Sequence, residues 1–338
     1  MPSSLKGKHF ISTQEFALAD LEALLVRARD FKHGGPKGKP LEGKSVALAF
    51  LNPSMRTRLS MELAVRELGG VPLTLNVGSD SWSLEHRDGV VMNESKTEHV
   101  KDAVRVLARC VDAIGVRSFA AMEKPEDDLQ DTVILSFKRH SPVPVVNLES
   151  SLSHPCQAMA DMMTLVERRG AVRGTKVTLT WAPHPKQLPT AVPNSFLLAA
   201  TQFGCDVTLV HPEQFPLPGR VIELAQKNAA AAGRPLKIVH NQPEAFIGAQ
   251  VVYAKSWGSV AYYGNWERET QIRRTYTNWI VDESKMAHTA DAVFMHCLPV
   301  RRNVEVADNV LDGRRCVAYD QAENRLWVQM ALLEALIK

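Results

Sequence analysis

Short apolar runs the size of buried strands alternate with helix-length stretches along almost the whole chain. That alternation leaves few folds open. Strands separated by helices run parallel, and a parallel sheet is covered on both faces. In the first series, strands are expected at 45–51, 71–75, 113–116 and 143–148. Helices are expected at 13–33 (opened by Thr13, Glu15 and Phe16), from the cap signal Asn52-Pro53-Ser54 to Leu68, at 98–110 and at 127–140. A helix at 154–169 leads into a second series. There, strands are expected at 176–181, 206–210, 236–239, 250–253 and 292–295, and helices at 193–203 and 220–232. An amphipathic helix at 324–337 ends the chain.

The chain has 338 residues, enough for two domains of about 150 residues. Domains of that size bury a sufficient core without disulfides or structural metal. The cysteines Cys110, Cys156, Cys205, Cys297 and Cys316 are odd in number and far apart, with no CxxC spacing. They read as reduced thiols and not as a zinc site. Basic side chains number 40 and acidic 37, so no general attraction to nucleic acid is implied. Residues 1–10 lack the apolar core of a signal peptide, and no apolar run approaches the ~18 residues of a membrane span. A cytoplasmic location is expected.

Ser54-Met55-Arg56-Thr57-Arg58 follows a buried strand and opens a helix. Open α/β sheets bind ligands at such strand ends, and the unpaired N–H groups of a helix's first turn favour an anion. Ser54 and Thr57 add hydroxyls, and Arg56 and Arg58 add cations whose fork suits phosphate. A capped surface helix with solvated arginines is the plainer alternative. Arg117 stands at the end of a strand, His154-Pro155-Cys156-Gln157 opens the helix at the domain junction, and His296-Cys297-Leu298-Pro299 ends a later strand.

These four elements, in this order, resemble the aspartate/ornithine carbamoyltransferase family over nearly the whole chain. The resemblance implies an α/β fold of two doubly wound parallel-sheet domains. Residues 1–152 would bind carbamoyl phosphate and 153–323 the amino acid, with helix 324–338 packing back on the first domain. It implies a homotrimer with shared active sites and no metal or cofactor. Ser54, Met55, Arg56 and Thr57 would hold the phosphate. Arg117, His154 and Gln157 would orient the carbamoyl group, and Trp82 would reach into a neighbouring subunit's site.

Attack of a neutral amine on the carbamoyl carbon develops negative charge on the carbamoyl oxygen and expels phosphate. Thr57, Arg117 and His154 are the candidate donors to that oxygen. The carbonyls of Cys297 and Leu298 would point the amine. A rival reading makes Cys297 a thiol nucleophile, but adjacent strand residues face opposite ways and leave His296 poorly placed to activate it.

Where ornithine enzymes of the family carry an aspartate for the α-ammonium, this chain aligns Lys255, in Val252-Tyr-Ala-Lys-Ser-Trp-Gly258. A lysine there suits an acylated, uncharged α-nitrogen. The chain thus resembles the N-acylornithine branch, in which Glu149, Lys255, Cys297, Leu298 and Arg325 would contact the amino acid. Thr97 admits a succinyl carboxylate, and the Trp181-Ala-Pro-His-Pro and Pro193-Asn-Ser-Phe stretches resemble the succinyl enzymes, whereas Glu305 and the Gly264-Asn-Trp-Glu stretch favour acetyl. Glu305 would pair with Lys255. The expected acceptor is the acetylated one, with the succinylated amino acid as the alternative. A silent carbamoyl phosphate-binding relative is a third reading, which the complete set of motifs opposes.

Overall fold

The computed structural model describes residues 5–338; residues 1–4, part of the stretch read for a signal peptide, lie outside it. Two compact units account for the described chain. The first comprises the chain up to Ala121, Glu126–Met159 and Arg325–Lys338, and the second Met122–Pro125 and Ala160–Asn324.

In chain order the elements through the first unit are α1 (Leu18–Gly34), β1 (Ser45–Phe50), α2 (Met55–Glu67), β2 (Val71–Asn76), β3 (Leu84–Glu85), β4 (Glu98–His99), α3 (Val100–Cys110), β5 (Ala113–Arg117), α4 (Pro125–Leu129), α5 (Thr132–His140), β6 (Val145–Glu149) and α6 (Pro155–Arg169). Its main sheet has the order β2-β1-β5-β6 and is parallel throughout. Five of the six residues of β1 are buried, as a strand covered on both faces requires. One face carries Ala47, Ala49, Ile114, Val116 and Val145, packed with Val100 and Val104 of α3 and Ile134 and Phe137 of α5.

The second unit continues with β7 (Lys176–Trp181), α7 (Ala191–Gln202), β8 (Asp206–Val210), α8 (Gly219–Ala231), β9 (Lys237–Val239), α9 (Gln242–Phe246), β10 (Val251–Lys255), α10 (Trp266–Arg273), α11 (Glu283–Met286), β11 (Val293–Met295), α12 (Asp308–Leu311) and α13 (Ala318–Ile337). Its sheet, β11-β10-β7-β8-β9, is also parallel. In each sheet the chain reverses its direction of travel beside the first strand, between β1 and β5 and between β7 and β10. Open α/β sheets take ligands at the carboxyl ends of strands flanking such a reversal.

Three local expectations change. Thr13–Glu15 forms a single 3-10 turn capped by the Ser12 hydroxyl, and α1 starts only at Leu18. Phe16 is extended and buried against Phe10, with ring centroids 5.2 Å apart. Glu98 and His99 pair with Leu84 and Glu85 as a short parallel ribbon, and α3 starts only at Val100 with His99 as its N-cap. The helix predicted over 127–140 breaks at Asp131, which is left-handed with φ 55° and ψ 39°. Such a backbone in a non-glycine residue costs on the order of 1–3 kcal/mol.

The terminal helix begins at Ala318, earlier than its pattern suggests. Its last part belongs to the first unit, where Arg27 grips Glu334 through two hydrogen bonds of 2.7 and 3.0 Å and Gly7 N–H donates to the Leu336 carbonyl at 2.9 Å. The α/β architecture with a returning C-terminal helix therefore stands as expected. Among the described residues, no helix is long and apolar enough to cross a membrane.

Candidate active site

In the first unit, the loops after β1, β5 and β6 bring their side chains to the carboxyl edge of the sheet. Ser54 is the N-cap of α2, its hydroxyl oxygen accepting the Thr57 N–H at 3.2 Å. That leaves the Ser54 O–H proton free to donate elsewhere. Thr57 is fully buried, and its hydroxyl oxygen accepts from Arg325 Nη2 at 2.7 Å and from Arg117 Nη1 at 3.3 Å. With both lone pairs engaged, the Thr57 hydroxyl also keeps its proton for another acceptor. Arg117 Nη1 donates to Glu149 Oε2 at 2.6 Å, and its guanidinium lies over the Phe119 ring, 4.3 Å from the centroid. Asn52 fixes that ring's loop by accepting the Phe119 N–H at 2.7 Å.

His154 is buried, its Nε2 3.6 Å from Glu149 Oε2. Burial, reinforced by the charges of Arg325 and Arg117, pushes its pKa well below the ordinary histidine value. It is therefore a neutral imidazole at physiological pH. Burial also lowers Arg325, with Arg117 and Arg56 adding repulsion, to about 10. The Nε–H groups of Arg117 and Arg325 are buried without a protein acceptor. This is a cluster rich in positive charge and in unspent donors. An anion of phosphate size would meet hydroxyls and guanidinium groups at the N-terminal end of α2, where the helix dipole favours negative charge.

Arg58 does not join this cluster. It pairs with Glu62 one turn along α2 at 2.9 Å, and Glu62 also accepts from Thr74. Met55 is exposed, and Gln157 is buried in the first turn of α6. Trp82 and Thr97 lie exposed on the excursion between β2 and α3. Glu85 ties that excursion together by accepting the His86 and Arg87 N–H groups and pairing with the Arg87 guanidinium at 2.8 Å.

In the second unit, Lys255 ends β10 and is buried. Just past β11, the His296 Nδ1 accepts the Leu298 N–H at 2.9 Å. That bond places the imidazole proton on Nε2, which lies 3.0 Å from Glu305 Oε2. Glu305 is 1% exposed. Burial alone would raise its pKa, but the His296 contact, the Lys255 charge and the Arg301 N–H outweigh it and hold the carboxylate at about 2. The direct pair expected between Glu305 and Lys255 is thus replaced by a contact with His296, and Lys255 acts on Glu305 through its charge. Both His296 nitrogens are committed, which removes the base that a Cys297 nucleophile would need. Leu298 is left-handed at φ 55°, a backbone that a branched side chain adopts only when its surroundings impose it.

Two groups of the site residues predicted from sequence come together. Ser54, Thr57, Arg117, Glu149, His154 and Arg325 meet in the first unit. His296, Leu298 and Glu305 meet in the second, with Lys255 within electrostatic reach. Arg325 and Glu149, both expected with the amino-acid ligands, sit instead on Thr57 and on Arg117 respectively. Phe119 carries no sequence signal, Asn52 is legible only as part of the cap signal, and His184 is not legible as a site residue. His184 follows β7, and the charges of Glu305, Lys255 and Arg301 all act on it. Its only sequence signal is the Pro183-His184-Pro185 context.

The first α/β unit thus carries a cluster of guanidinium and hydroxyl donors suited to an anion, and its relatives specify the family. Residues 8–167 match the carbamoyl-P binding domain of aspartate/ornithine carbamoyltransferases, and residues 187–336 match the Asp/Orn binding domain. The chain belongs to this family. It is 48% identical over 333 residues to the N-acetylornithine carbamoyltransferase of Xanthomonas campestris, covering 98% of each chain. It is 36% identical to the N-succinylornithine carbamoyltransferase of Bacteroides fragilis, covering 98% of this chain and 99% of that one. A crystal structure of acetylornithine transcarbamylase complexed with acetylcitrulline superposes with a TM-score of 0.96 at 48% identity, covering 98% of this chain and 99% of the other.

Proposed function

We propose that the chain transfers the carbamoyl group of carbamoyl phosphate to the δ-amine of N-acetyl-L-ornithine, giving N-acetyl-L-citrulline and phosphate, in arginine biosynthesis. The observation that carries this reading is the contrast in identity over nearly the full chain. It is 48% to enzymes named for N-acetylornithine, against 36% both to those named for N-succinylornithine and to the ornithine carbamoyltransferase of Pyrococcus horikoshii. The buried Lys255 and the anionic Glu305 agree with it, because neither suits a free α-ammonium or a second carboxylate, respectively.

Ser54, Met55, Arg56 and Thr57 hold the phosphate at the start of α2, with Arg325 beneath Thr57. The residue range 1–152 with 324–338 serves carbamoyl phosphate, and 153–323 serves the amino acid. The δ-nitrogen lone pair attacks the carbamoyl carbon and the C=O opens to an oxyanion. Thr57, Arg117 and the neutral His154 donate to that oxygen. A neutral imidazole offers an N–H for this electrophilic role, and the lowered basicity of His154 makes it a poor competitor for the amine's proton. Collapse of the intermediate breaks the C–O bond to phosphate, and a phosphate oxygen takes the amine proton. The Cys297 and Leu298 carbonyls aim the amine, while Glu149 holds Arg117 and Lys255 meets the acylated end of the substrate. Positioning and electrostatics supply the rate.

A homotrimer with shared sites is part of the same reading. Met55 (74% exposed), Leu59 and Leu63 recur one turn apart on α2, and Val71 and Leu73 line the edge strand β2. Exposed apolar side chains recurring on one element in this way are suited to an interaction surface. Trp82, 63% exposed, would reach the neighbour from its loop. A cytoplasmic location agrees with five free thiols.

The test is turnover of carbamoyl phosphate with ornithine, N-acetylornithine and N-succinylornithine in parallel. N-acetylornithine should be preferred by at least roughly tenfold in kcat/KM, the worth of one well-made contact. A preference for succinylornithine removes the role of Glu305, and one for ornithine removes that of Lys255. Sedimentation should give a trimer mass.

A further inference from the structure

Asp131 breaks two local rules at one residue. It occupies the N-cap position of α5, where aspartate normally sits in an extended backbone and caps the helix with its own carboxylate. Here the backbone is left-handed and the side chain makes no cap hydrogen bond. The carboxylate turns instead to the connection between β6 and α6, which ends in His154. Asp131 Oδ2 accepts the Ser150 hydroxyl at 2.7 Å, and Oδ1 accepts the Ser151 N–H at 3.0 Å. All three residues are buried.

The surroundings complete a clamp. Asn147 donates to the Ser150 hydroxyl oxygen at 2.9 Å and to the Ile11 carbonyl at 3.1 Å. Ser150 N–H closes the turn onto the Ser153 carbonyl at 2.8 Å. Asp128, also buried, accepts the Ala121 N–H at 2.9 Å and the Ser151 hydroxyl at 3.3 Å. It thereby joins the loop after Arg117 to the turn before His154. Where propensity and cap chemistry are both overridden at one residue, a functional constraint is the usual cause.

We propose that Asp131 is a positioning residue for His154, fixing the 150–153 turn so that the imidazole stands where the carbamoyl oxygen develops charge. This rests on the carbamoyl-transfer reading of His154. Glycine accepts φ 55° without strain but has no carboxylate. Asparagine tolerates the same backbone and keeps one oxygen for the Ser151 N–H. A role confined to breaking the helix predicts that both replacements are harmless. A clamp predicts that they differ.

Asp131→Gly should fold with a lowered melting temperature, because two buried donors lose their acceptor, and lose about a hundredfold in kcat, the penalty of a displacement near 1 Å, with KM for carbamoyl phosphate within about threefold. Asp131→Asn should recover kcat to within about fivefold of wild type. A folded Asp131→Gly enzyme with wild-type kcat overturns the proposal. If Asp131→Gly does not fold, Ser150→Ala decides: about a fivefold loss of kcat supports the clamp, and an unchanged kcat removes it. A readout independent of turnover separates this from the functional reading. In histidine-15N-labelled protein, the His154 imidazole signals, identified by their loss in His154→Asn, should move in Ser150→Ala and in any folded Asp131→Gly, and stay in Asp131→Asn. Signals that do not move refute the clamp. Signals that move in a chain with no carbamoyl-transfer activity support the clamp and refute the reading of the site.

Discussion

Replacing Arg325 with methionine should stabilise the free protein and impair its use of carbamoyl phosphate. The buried Arg325 guanidinium is lowered to about 10 by burial and by the charges of Arg117 and Arg56. Its ordinary value is near 12.5. A base whose pKa falls on folding is disfavoured as a cation in the fold. The destabilisation is complete below about pH 10 and is relieved only above it. At about 1.4 kcal/mol per pH unit, it amounts to roughly 3 kcal/mol at neutral pH. Methionine fills similar space without charge. It forfeits the 2.7 Å hydrogen bond to Thr57, worth about 1–2 kcal/mol. The net expectation is a gain of about 1–2 kcal/mol, or about 3–6 °C in melting temperature for units of this size. The assay is thermal unfolding in phosphate-free buffer, repeated with saturating inorganic phosphate. Phosphate should raise wild type more than the variant, and KM for carbamoyl phosphate should rise at least about tenfold. A variant less stable than wild type without phosphate would show that the guanidinium is already compensated and that the argument is wrong.

Three further outcomes follow from the same contacts. His154, buried and neutral, has its pKa below the unfolded value, so its contribution to stability is present above about pH 6.5 and declines as pH falls below it. The difference in urea stability between wild type and His154→Gln should therefore shrink between about pH 7.5 and 5.5, and a constant difference would mean the histidine titrates normally. Glu305→Gln keeps the shape but removes the charge facing His296 and Lys255. Its KM for N-acetylornithine should rise about tenfold with that for carbamoyl phosphate unchanged, and a rise in the latter alone would put Glu305 in the wrong half of the mechanism. Arg58→Ala, which removes only the pair with Glu62 on the α2 surface, should change KM for carbamoyl phosphate by less than about twofold. A tenfold loss would return Arg58 to the phosphate site.

What the sequence determined by itself was whatever is written in short stretches. The strand-helix alternation specified two parallel α/β units because strand and helix periods are local. The Ser54–Thr57 cap, the His154 helix start and the His296–Pro299 segment were legible because turn chemistry and cap positions depend on neighbours in the chain. Only the tertiary structure decided the partnerships. Arg325 reaches Thr57 from 268 positions away, and no local pattern foretells which buried hydroxyl a guanidinium will find. Glu305 took His296 in place of Lys255 for the same reason. The break at Asp131 lay outside local reasoning altogether. Residues 127–140 read as one helix until Ser150 and Ser151, distant in sequence, offer the carboxylate a better partner than its own helix. The pKa values of His154, Arg325 and Glu305 likewise arise from burial and neighbouring charge, which exist only once the chain has folded.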